Sequence, residues 1–289
     1  MALPMRKTLI AIALAGTLLA ACAQETSPSA GGASGSSGAP NCDPSSMPVT
    51  APGHLTVATD SPAFSPWFRH NDPSNGQGYE SAVAYAVAAK MGFPHQQVHW
   101  TVEPFAKSFA PGPKHFDFAI EQISITPERE QAVSFSHGYY DDQQALIGVK
   151  GTPIASATTV ADLKNYKFAA EQGTTSLQFI AQAIQPTEQP AVFDTTRDAV
   201  SALQAGQVDG LVLDLPTAAY TQYSVDNGVL IGKFAPTDPP EQFGLLFSKG
   251  SSLVACANKA IDSLKADGTL EQLQQRWLKS YADVPDITG

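Results

Sequence analysis

Short apolar runs alternate with amphipathic segments from Gly53 onward, and this alternation constrains the fold more than any other feature. Leu55–Thr59 has the length and the β-branching of a strand. Segment 79–91 carries apolar residues at helical spacing, and Gly92 follows it in the position of a helix C-cap. A second series of such units begins near Asp142. Repeated strand–helix units predict parallel sheets covered by helices, and two series predict two lobes.

The same patterns place the other elements and define the predicted fold class. Further strands are predicted at 98–102, 116–120, 145–149, 167–170, 191–193 and 209–213. Further helices are predicted at 160–165, 175–184, 196–205, 216–223, 253–266 and 270–281. We therefore expect an α/β protein with two lobes, each a mostly parallel sheet flanked by helices. Small-ligand sites favour the cleft between two such lobes.

Residues 1–21 predict a secretory signal peptide. Arg6 and Lys7 precede a short apolar stretch, which ends in small residues directly before Cys22. This ending resembles the bacterial lipobox, in which the Cys becomes the lipidated first residue of the mature chain. The alternative is a plain signal peptide with an incidental Cys. Segment 22–52 is rich in Gly, Ser, Ala and Pro, so it predicts a flexible tether behind the lipidated residue.

Charge and cysteine content narrow the function classes. The chain has 17 Lys and Arg residues against 27 Asp and Glu residues, and its net charge of −10 argues against nucleic acid as a partner. No run beyond the signal segment is long and apolar enough to span a bilayer. In an exported chain, Cys42 and Cys256 are more often a disulfide than a reactive pair; the alternative is two free thiols. No CxxC pair is present, and we predict neither a metal nor a cofactor.

A candidate anion site follows predicted strand 116–120. Segment 122–129 reads Gln-Ile-Ser-Ile-Thr-Pro-Glu-Arg, a hydroxyl-rich turn that puts Arg129 at the start of the next helix. Free backbone N–H groups at a helix start, together with a guanidinium that grips both oxygens, suit a small carboxylate. Much further along the chain, Asp214 follows predicted strand 209–213 with a carboxylate suited to an ammonium. Together they predict the two halves of an amino-acid receptor.

Five motifs, in this order, resemble those of a known family. They are Leu55-Thr56-Val57-Ala58-Thr59-Asp60, Ser124-Ile125-Thr126-Pro127-Glu128-Arg129, Phe135-Ser136-His137-Gly138-Tyr139-Tyr140, Gln172-Gly173-Thr174-Thr175 and Leu264-Lys265-Ala266-Asp267-Gly268-Thr269-Leu270. Over about residues 53–278 the chain resembles the polar amino-acid-binding proteins of ABC importers, the extracytoplasmic solute-binding proteins of family 3. Five ordered motifs are far more specific than any one of them.

The resemblance implies a fold and a cellular role. It implies the type 2 periplasmic-binding-protein fold, in which two α/β lobes joined by two crossovers close on a ligand. Lobe one would hold 53–141 plus 242–289, and lobe two would hold 142–241. The implied partners are an amino acid and an ABC permease with its cytoplasmic ATPase. The implied state is a monomer, lipid-anchored on the extracytoplasmic face of the cell membrane.

The resemblance also implies which residues hold the backbone of an amino acid. Arg129 matches the family's ligand-carboxylate Arg; the alternative is a surface Arg on the first helical turn. Ser124 matches a position that also reaches the carboxylate, and its alternative is an ordinary strand-end turn. Thr175 would bind the same group from lobe two, unless Thr174 or Thr175 is simply an N-cap. Asp214 matches the ammonium position, with an N-cap again as the alternative.

Aromatic walls are expected on both sides of the ligand. The loop 60–67 should supply one wall, for which Phe64 is the first choice and Trp67 the second. Phe105 matches a second wall. The alternative for each ring is plain core packing.

Ligand choice is predicted to depend on Glu121 and Gln122. A carboxylate there, near Asp60, favours a cationic or amide side chain and rejects a second carboxylate by like-charge repulsion. No additional Lys or Arg stands at a matched pocket position, so Arg, Lys, ornithine or His would suit, followed by Gln or Asn. The alternative is that Glu121 pairs with a neighbouring cation. The family often has a second Asp where this chain has Ala82, so that position lies outside the predicted site.

The leading functional hypothesis is a tethered receptor that delivers a polar amino acid to an importer, and not an enzyme. The same fold hosts dehydratases that act on prephenate-like acids, for which Glu121 is the candidate general acid. A ligand-reading sensor is a third option. Asp214 opposite Arg129 favours α-amino-acid binding over the enzyme, whereas the sensor is disfavoured because no extra signalling domain is visible in the sequence.

Overall fold

The computed structural model describes residues 41–289. The predicted signal peptide, Cys22 and the first part of the predicted tether lie outside the described residues. Within the described part, no helix combines the length and the apolar character that a membrane span requires.

The described residues form eleven strands and eight α-helices. The strands are β1 Leu55–Thr59, β2 Val98–Val102, β3 Phe118–Ala119, β4 Val133–Asp142, β5 Gln144–Val149, β6 Phe168–Glu171, β7 Ala191–Phe193, β8 Gly210–Asp214, β9 Gly228–Phe234, β10 Glu241–Ser248 and β11 Asp286–Ile287. The helices are α1 Tyr79–Lys90, α2 Phe105–Ser108, α3 Arg129–Ala132, α4 Thr175–Phe179, α5 Thr196–Gln204, α6 Leu215–Thr221, α7 Leu253–Ala266 and α8 Thr269–Trp277.

The first sheet has the strand order β2-β1-β3-β10-β4. β1 runs parallel to both of its neighbours, whereas β10 is antiparallel to β3 and to β4. Helices α1, α7 and α8 pack on this sheet, and their apolar side chains join those of the strands in one core that includes Val57, Val83, Phe247, Ile261 and Leu270. Periodic apolar residues on the helices thus find an apolar sheet face to cover.

The second sheet has the strand order β11-β9-β5-β8-β6-β7 and is covered on both faces. Successive side chains of β8 pack in different hydrophobic cores, because side chains point alternately to the two faces of a strand. Leu211 packs with Leu203 of α5 and Ala218 of α6, whereas Val212 packs with Phe168 and Ile180 on the other face. Because both faces of β8 are buried, its first four residues are apolar, and only the last residue, Asp214, is charged.

Each sheet is mixed but mostly parallel, as predicted, because among the described strands β10 of the first sheet and β5 of the second run against the others. The antiparallel pairs all involve β5 or β10, the strands that follow the first two crossings between the sheets. At these crossings the chain passes from one sheet directly into the other without an intervening helix. The strand it then forms runs antiparallel to the strands that are joined through helices. The α/β class itself is as predicted.

The last strand belongs to the second sheet, which corrects the predicted assignment of all of 242–289 to lobe one. β11 pairs in parallel with β9, with Asp286 opposite Lys233 and Ile287 opposite Phe234. Ile287 is buried in a core of the second sheet. The chain therefore crosses between the sheets three times rather than twice. Two residues are too short to give a strand pattern, so the sequence carries no local signal for this pairing.

Several predicted elements differ from the observed ones at their ends. α7 has the predicted bounds, but α8 ends at Trp277 although a helix to 281 was predicted. Predicted strand 116–120 pairs only at Phe118–Ala119. Predicted helix 175–184 is an α-helix for one turn and then continues as a π-helical turn at Ile180–Ile184.

A disulfide joins Cys42 to Cys256 and fastens the start of the described chain to α7. The two Cα atoms lie 5.6 Å apart. Cys256 is buried among the apolar residues of the first core, against which Cys42 also packs. The segment from 41 onward thus packs against the first sheet and its helices.

Removing this bridge should lower the free energy of unfolding. The bonded residues are 214 positions apart, so the bridge constrains most of the unfolded chain. For the double variant Cys42→Ser with Cys256→Ser we expect a loss of about 4 kcal/mol in urea denaturation. Wild-type protein unfolded with a reductant should show the same loss, and the double variant should not respond to the reductant. An unfolding midpoint that neither change lowers would contradict the prediction.

Candidate functional site

A cavity of about 80 Å³ lies between the two sheets, at the carboxyl ends of their parallel strands. Asp60, Glu121, Glu171 and Asp214 end or closely follow β1, β3, β6 and β8, and all four line it. Ligands of α/β proteins bind at this edge of the sheet. The other lining residues are Thr59, Pro62, Ala63, Phe64, Phe68, Phe105, Gln122, Ser124, Ala170, Thr174, Thr175, Ser176, Thr196, Val212, Leu213 and Thr217.

The two halves of the protein touch directly across the cleft. Trp67 of the first half donates its indole N–H to the hydroxyl of Thr217, at 2.8 Å. Arg129 donates from Nη2 to the backbone oxygen of Gly173, at 2.9 Å. The structure is therefore a closed arrangement in which the cavity is bounded by both halves.

Arg129 is buried at the first position of α3 and lies beside the cavity rather than on its wall. Its Nη1 donates to the Ser124 backbone oxygen at 2.7 Å, and its guanidinium lies 4.7 Å from the ring centre of Phe109 and 5.4 Å from that of Phe105. Burial lowers the pKa of Arg129 to about 10, so the group stays charged at neutral pH. The alternative of a surface Arg is thereby wrong. The guanidinium has five N–H donors, and the two backbone contacts use one on each terminal nitrogen.

Ser124 and Thr175 meet across the cleft. Their hydroxyl oxygens are 3.3 Å apart, with Ser124 contributed by the first half and Thr175 by the start of α4. Thr174, not Thr175, caps the helix, because its hydroxyl accepts from the Leu177 backbone N–H. The Thr175 hydroxyl is therefore not used as a cap. The Ser124 hydroxyl donates to the Glu241 carboxylate at 2.6 Å, a contact that sequence reasoning did not include.

Asp214 ends β8 and precedes α6 without capping that helix. Its side chain makes no hydrogen bond to the helix N-terminus, which contradicts the N-cap alternative. Instead it accepts from Nε2 of Gln144 at 3.0 Å and lines the cavity. Burial, and next the neighbouring charge of Glu241, raise the pKa of Asp214 to about 7. An ammonium placed beside Asp214 would favour its charged form.

Asp214 belongs to a group of three carboxylates with Asp142 and Glu241, each offering an oxygen within 4.8 Å of the others. Nε2 of Gln144 lies 3.0 Å from an oxygen of Asp214, 3.3 Å from one of Glu241 and 3.5 Å from one of Asp142. An N–H donor thus fills the place that a cation held by all three carboxylates would take. The Gln144 carbonyl accepts from Ser176, which fixes the orientation of the amide. The arrangement fits a hydrogen-bonded acidic group and not a metal ion.

The other end of the cavity carries a second acidic group. Glu121 is 9% exposed, and its Oε2 has no hydrogen-bond partner among the described residues. Burial, followed by the charges of Asp60 and Glu171, raises the pKa of Glu121 well above its usual range. No Lys or Arg of the described chain forms an ion pair with Glu121, so the alternative of a neighbouring cation is wrong. An unpaired acidic group that lines a cavity is a ready partner for a cationic ligand group.

Gln122 is held by Glu80, a residue that sequence reasoning left out. The Gln122 backbone N–H donates to Glu80 at 2.6 Å, and the Gln122 side-chain amide and the Tyr139 hydroxyl donate to the same carboxylate. Gln122 adopts a left-handed backbone, with φ of 46°, while it makes these contacts. Burial raises the pKa of Glu80 to about 7. Glu80 therefore positions Gln122 at the cavity wall.

The aromatic residues divide between wall and core. Phe64 and Phe105 both line the cavity, at 37% and 9% exposure. Trp67 is fully buried and packs edge-on against Tyr79 and Tyr140. Trp67, the second choice for a wall, is therefore a core residue whose N–H bridges to Thr217 of the other half.

Two of the residues that sequence reasoning missed, Glu171 and Gln144, share one signal in the sequence. Glu171 directly follows predicted strand 167–170, and Gln144 directly precedes predicted strand 145–149, so both positions were readable as strand ends near the cleft. Asp142 and Glu241 had no such signal, because they meet only through the pairing of β4 with β10.

The chain is similar to known proteins in sequence and in structure. Residues 55–280 match the family model of the bacterial extracellular solute-binding proteins, family 3. ABC transporter arginine-binding protein 1 of Escherichia coli (strain K12) is 30% identical over 169 residues, which covers 57% of this chain and 67% of that relative. ABC transporter glutamine-binding protein GlnH of Bacillus subtilis (strain 168) is 28% identical over 217 residues, covering 73% and 77%. The solved structure of an ancestral arginine-binding protein bound to glutamine has a TM-score of 0.67 and 28% identity, covering 80% of this chain and 100% of that one.

Proposed function

The chain belongs to the bacterial extracellular solute-binding proteins of family 3, and from this premise we propose that its ligand is a cationic amino acid. The protein is an extracytoplasmic amino-acid-binding component of an ABC importer with the two-lobed α/β fold of type 2 periplasmic binding proteins. The side chains that would select one amino acid over another line the cavity of this chain.

The observation that carries the proposal is the charge of the cavity wall. Four carboxylates line it, from Asp60, Glu121, Glu171 and Asp214, and no Lys or Arg is among the lining residues. One of the four suffices for the α-ammonium. The other three lie close enough together that, after burial, the charges of Asp60 and Glu171 raise the pKa of Glu121, and they suit a guanidinium, an ammonium or a protonated imidazole and repel a second carboxylate. Amide ligands rank second because they would leave the acidic end without a counter-charge.

The α-carboxylate is assigned to Arg129, Ser124 and Thr175. The short contacts that bring these three residues together support the assignment, since Arg129 bonds to the Ser124 backbone and the two hydroxyls face each other. The Glu241 carboxylate now accepts from the Ser124 hydroxyl. A ligand carboxylate would displace it, because two carboxylates cannot share that one donor.

Ligand capture is assigned to hinge closure, and delivery to a permease that recognises the closed form. Lobe one is taken as the first sheet with α1, α7 and α8, and lobe two as the second sheet with α4, α5 and α6. The proposal includes monomeric anchoring to the cell membrane by a lipid on Cys22, which rests on the signal sequence alone.

Calorimetry of the ligand-stripped protein tests the proposal. We expect L-arginine, L-lysine or L-histidine to bind with a micromolar or lower Kd, L-glutamine more weakly, and L-glutamate not measurably. The acidic wall is the reason for this order. Tight binding of L-glutamate, or binding of none of the five, would overturn the proposal. Dehydration of prephenate by the purified protein would instead support the enzyme alternative, with Glu121 as general acid.

Glu121→Gln should change selectivity rather than abolish binding. The variant keeps the shape of the side chain and removes a charge that lies near the cationic end of the ligand. We expect L-arginine to bind about tenfold more weakly, with L-glutamine affinity unchanged within about threefold. Glu130→Gln, an exposed change on α3, is the matched control and should leave both affinities unchanged. Equal losses for both ligands would show that Glu121 does not determine ligand choice.

A further inference from the structure

Asp142 is a buried carboxyl group to which neither the family resemblance nor the cavity assigns a role. It ends β4, is 2% exposed, and lies opposite Glu241 in the pairing of β4 with β10. Asp214 completes the group at the end of β8, where Gln144 is its register partner. Asp142 does not line the cavity, whereas Asp214 does. Asp142 therefore lies behind the residue assigned to the ligand ammonium.

The group has too few hydrogen-bond donors for all three carboxylates to be ionised. The Gln144 amide is the shared donor, and an amide nitrogen carries only two hydrogens for three carboxylate oxygens within 3.5 Å. Asp142 has the longest of the three contacts, at 3.5 Å. Its other oxygen, Oδ1, is buried and accepts from no donor among the described residues. A buried carboxylate with one oxygen left without a donor is destabilising, whereas a carboxylic acid would supply the missing proton itself.

The surrounding charges do not compensate for the group either. Arg129 is the cation that faces it, but no ion pair within 4.0 Å joins Arg129 to any of the three carboxylates in the described chain. Glu80 of α1 adds a further negative charge near Asp214. The other titratable groups that face the group are the hydroxyls of Tyr139, Tyr140 and Tyr281, which are neutral at physiological pH.

We propose that Asp142 is a neutral carboxylic acid that donates a hydrogen bond to Asp214, so that it orients the ammonium-binding carboxylate while Asp214 itself releases its proton on ligand capture. This inference rests on the proposed function of Asp214. Asp142 is a positioning residue, since it acts through Asp214 and does not touch the ligand. One proton then completes the hydrogen bonding of the group.

The direction of the coupling follows from the charge of the ligand. Burial, and next the charges of Asp214 and Glu241, raise the pKa of Asp142 well above its usual range, and the pKa of Asp214 is about 7. An ammonium beside Asp214 favours the ionised form of Asp214, so binding lowers that pKa and expels the Asp214 proton, while Asp142 keeps its proton and its hydrogen bond. Affinity therefore rises with pH through the region around 7 and falls as pH drops, because protonated groups must then lose a proton before they pair.

The test compares wild type, Asp142→Asn and Asp142→Ala by calorimetry with L-arginine at pH 6 and pH 8. For wild type we expect binding about tenfold weaker at pH 6. Asn keeps a neutral donor towards Asp214, so Asp142→Asn should bind within about threefold of wild type at pH 8 and keep the wild-type pH effect, which arises from Asp214. Ala removes the donor, so Asp142→Ala should bind about tenfold more weakly than Asp142→Asn at both pH values.

Asp141→Asn is the matched control, because Asp141 is adjacent in the chain, exposed, and bonded to Gln242 instead. It should show the wild-type pH effect. Loss of the pH effect in Asp142→Asn would show that Asp142 itself releases the proton, and would overturn its assignment as a neutral donor. Binding by Asp142→Asn as weak as that of Asp142→Ala at pH 8 would overturn the donor role.

A measurement without ligand separates this inference from the proposed function. Carbon-13 NMR of the aspartate carboxyl groups should show one neutral Asp at pH 8, above the pKa of Asp214, in the ligand-free protein, and that resonance should be absent in Asp142→Asn. A fully ionised set of Asp resonances would overturn the inference even if amino acids bind. Failure of every amino acid to bind while the neutral resonance is present would count against the proposed function alone.

Discussion

L-Arginine should bind at least about 100-fold more weakly to Asp214→Asn than to the wild-type protein. The substitution keeps the size of the side chain and its contact with Gln144 but removes the charge that pairs with the ligand ammonium. Removing one partner of a buried, hydrogen-bonded charge pair costs about 2–5 kcal/mol of binding free energy. Every α-amino acid has the same ammonium, so all ligands should lose affinity together, unlike the selective effect of Glu121→Gln.

The same variant should not be less stable than wild type without ligand. Asp214 is one of three clustered carboxylates, and a neutral amide relieves part of their repulsion. Thermal unfolding of the ligand-free variant should therefore occur at the wild-type temperature or higher. Asp226→Asn, in an exposed turn between α6 and β9, is the control for binding. An unchanged Kd in Asp214→Asn would remove this residue from the site.

Arg129→Ala should also weaken L-arginine binding at least about 100-fold, but here ligand-free stability should fall as well. The variant removes the charge assigned to the ligand carboxylate. It also leaves the backbone oxygens of Ser124 and Gly173 without their donor and takes the guanidinium away from Phe109. Arg129→Lys should lose less affinity, about tenfold, since the charge is kept but one ammonium cannot reproduce a planar fork of donors.

The control for Arg129→Ala is Arg276→Ala. Arg276 also lies over an aromatic ring, that of Trp277, yet it is exposed and does not line the cavity. Calorimetry and thermal unfolding on both variants separate a lost ligand contact from a lost cation–π contact. Wild-type affinity in Arg129→Ala would contradict the assignment of the ligand carboxylate.

Local sequence patterns were sufficient to predict the elements whose own residues have the spacing or composition of a helix or a strand. Leu55–Thr59 and Leu253–Ala266 have the predicted bounds, because β-branching marks the strand and apolar spacing marks the helix. β4, β9 and β10 were not predicted as strands, although they supply the antiparallel pairs and the crossings. Their partners are distant in sequence, so their pairing depends on tertiary contacts that local periodicity does not contain.

The same division applies to the site. That Ser124 and Asp214 lie at the cleft could be predicted, since each follows the end of a predicted strand. The acidic partners could not, because Glu241 meets Asp142 only when β10 pairs with β4 in one particular register. The ionisation of a carboxyl group depends on what surrounds it, so the neutral form we assign to Asp142 requires the folded arrangement.

The strand β11 has a practical consequence for measuring hinge motion. Residues 278–285 leave the first half behind α8, and Ile287 then fastens the C-terminus to β9 of the second half. A fluorophore attached at the C-terminus would therefore travel with the second half, although the preceding helices belong to the first. Paired with a second fluorophore at Ala89, at the exposed end of α1, it would report the opening of the cleft as a change in distance.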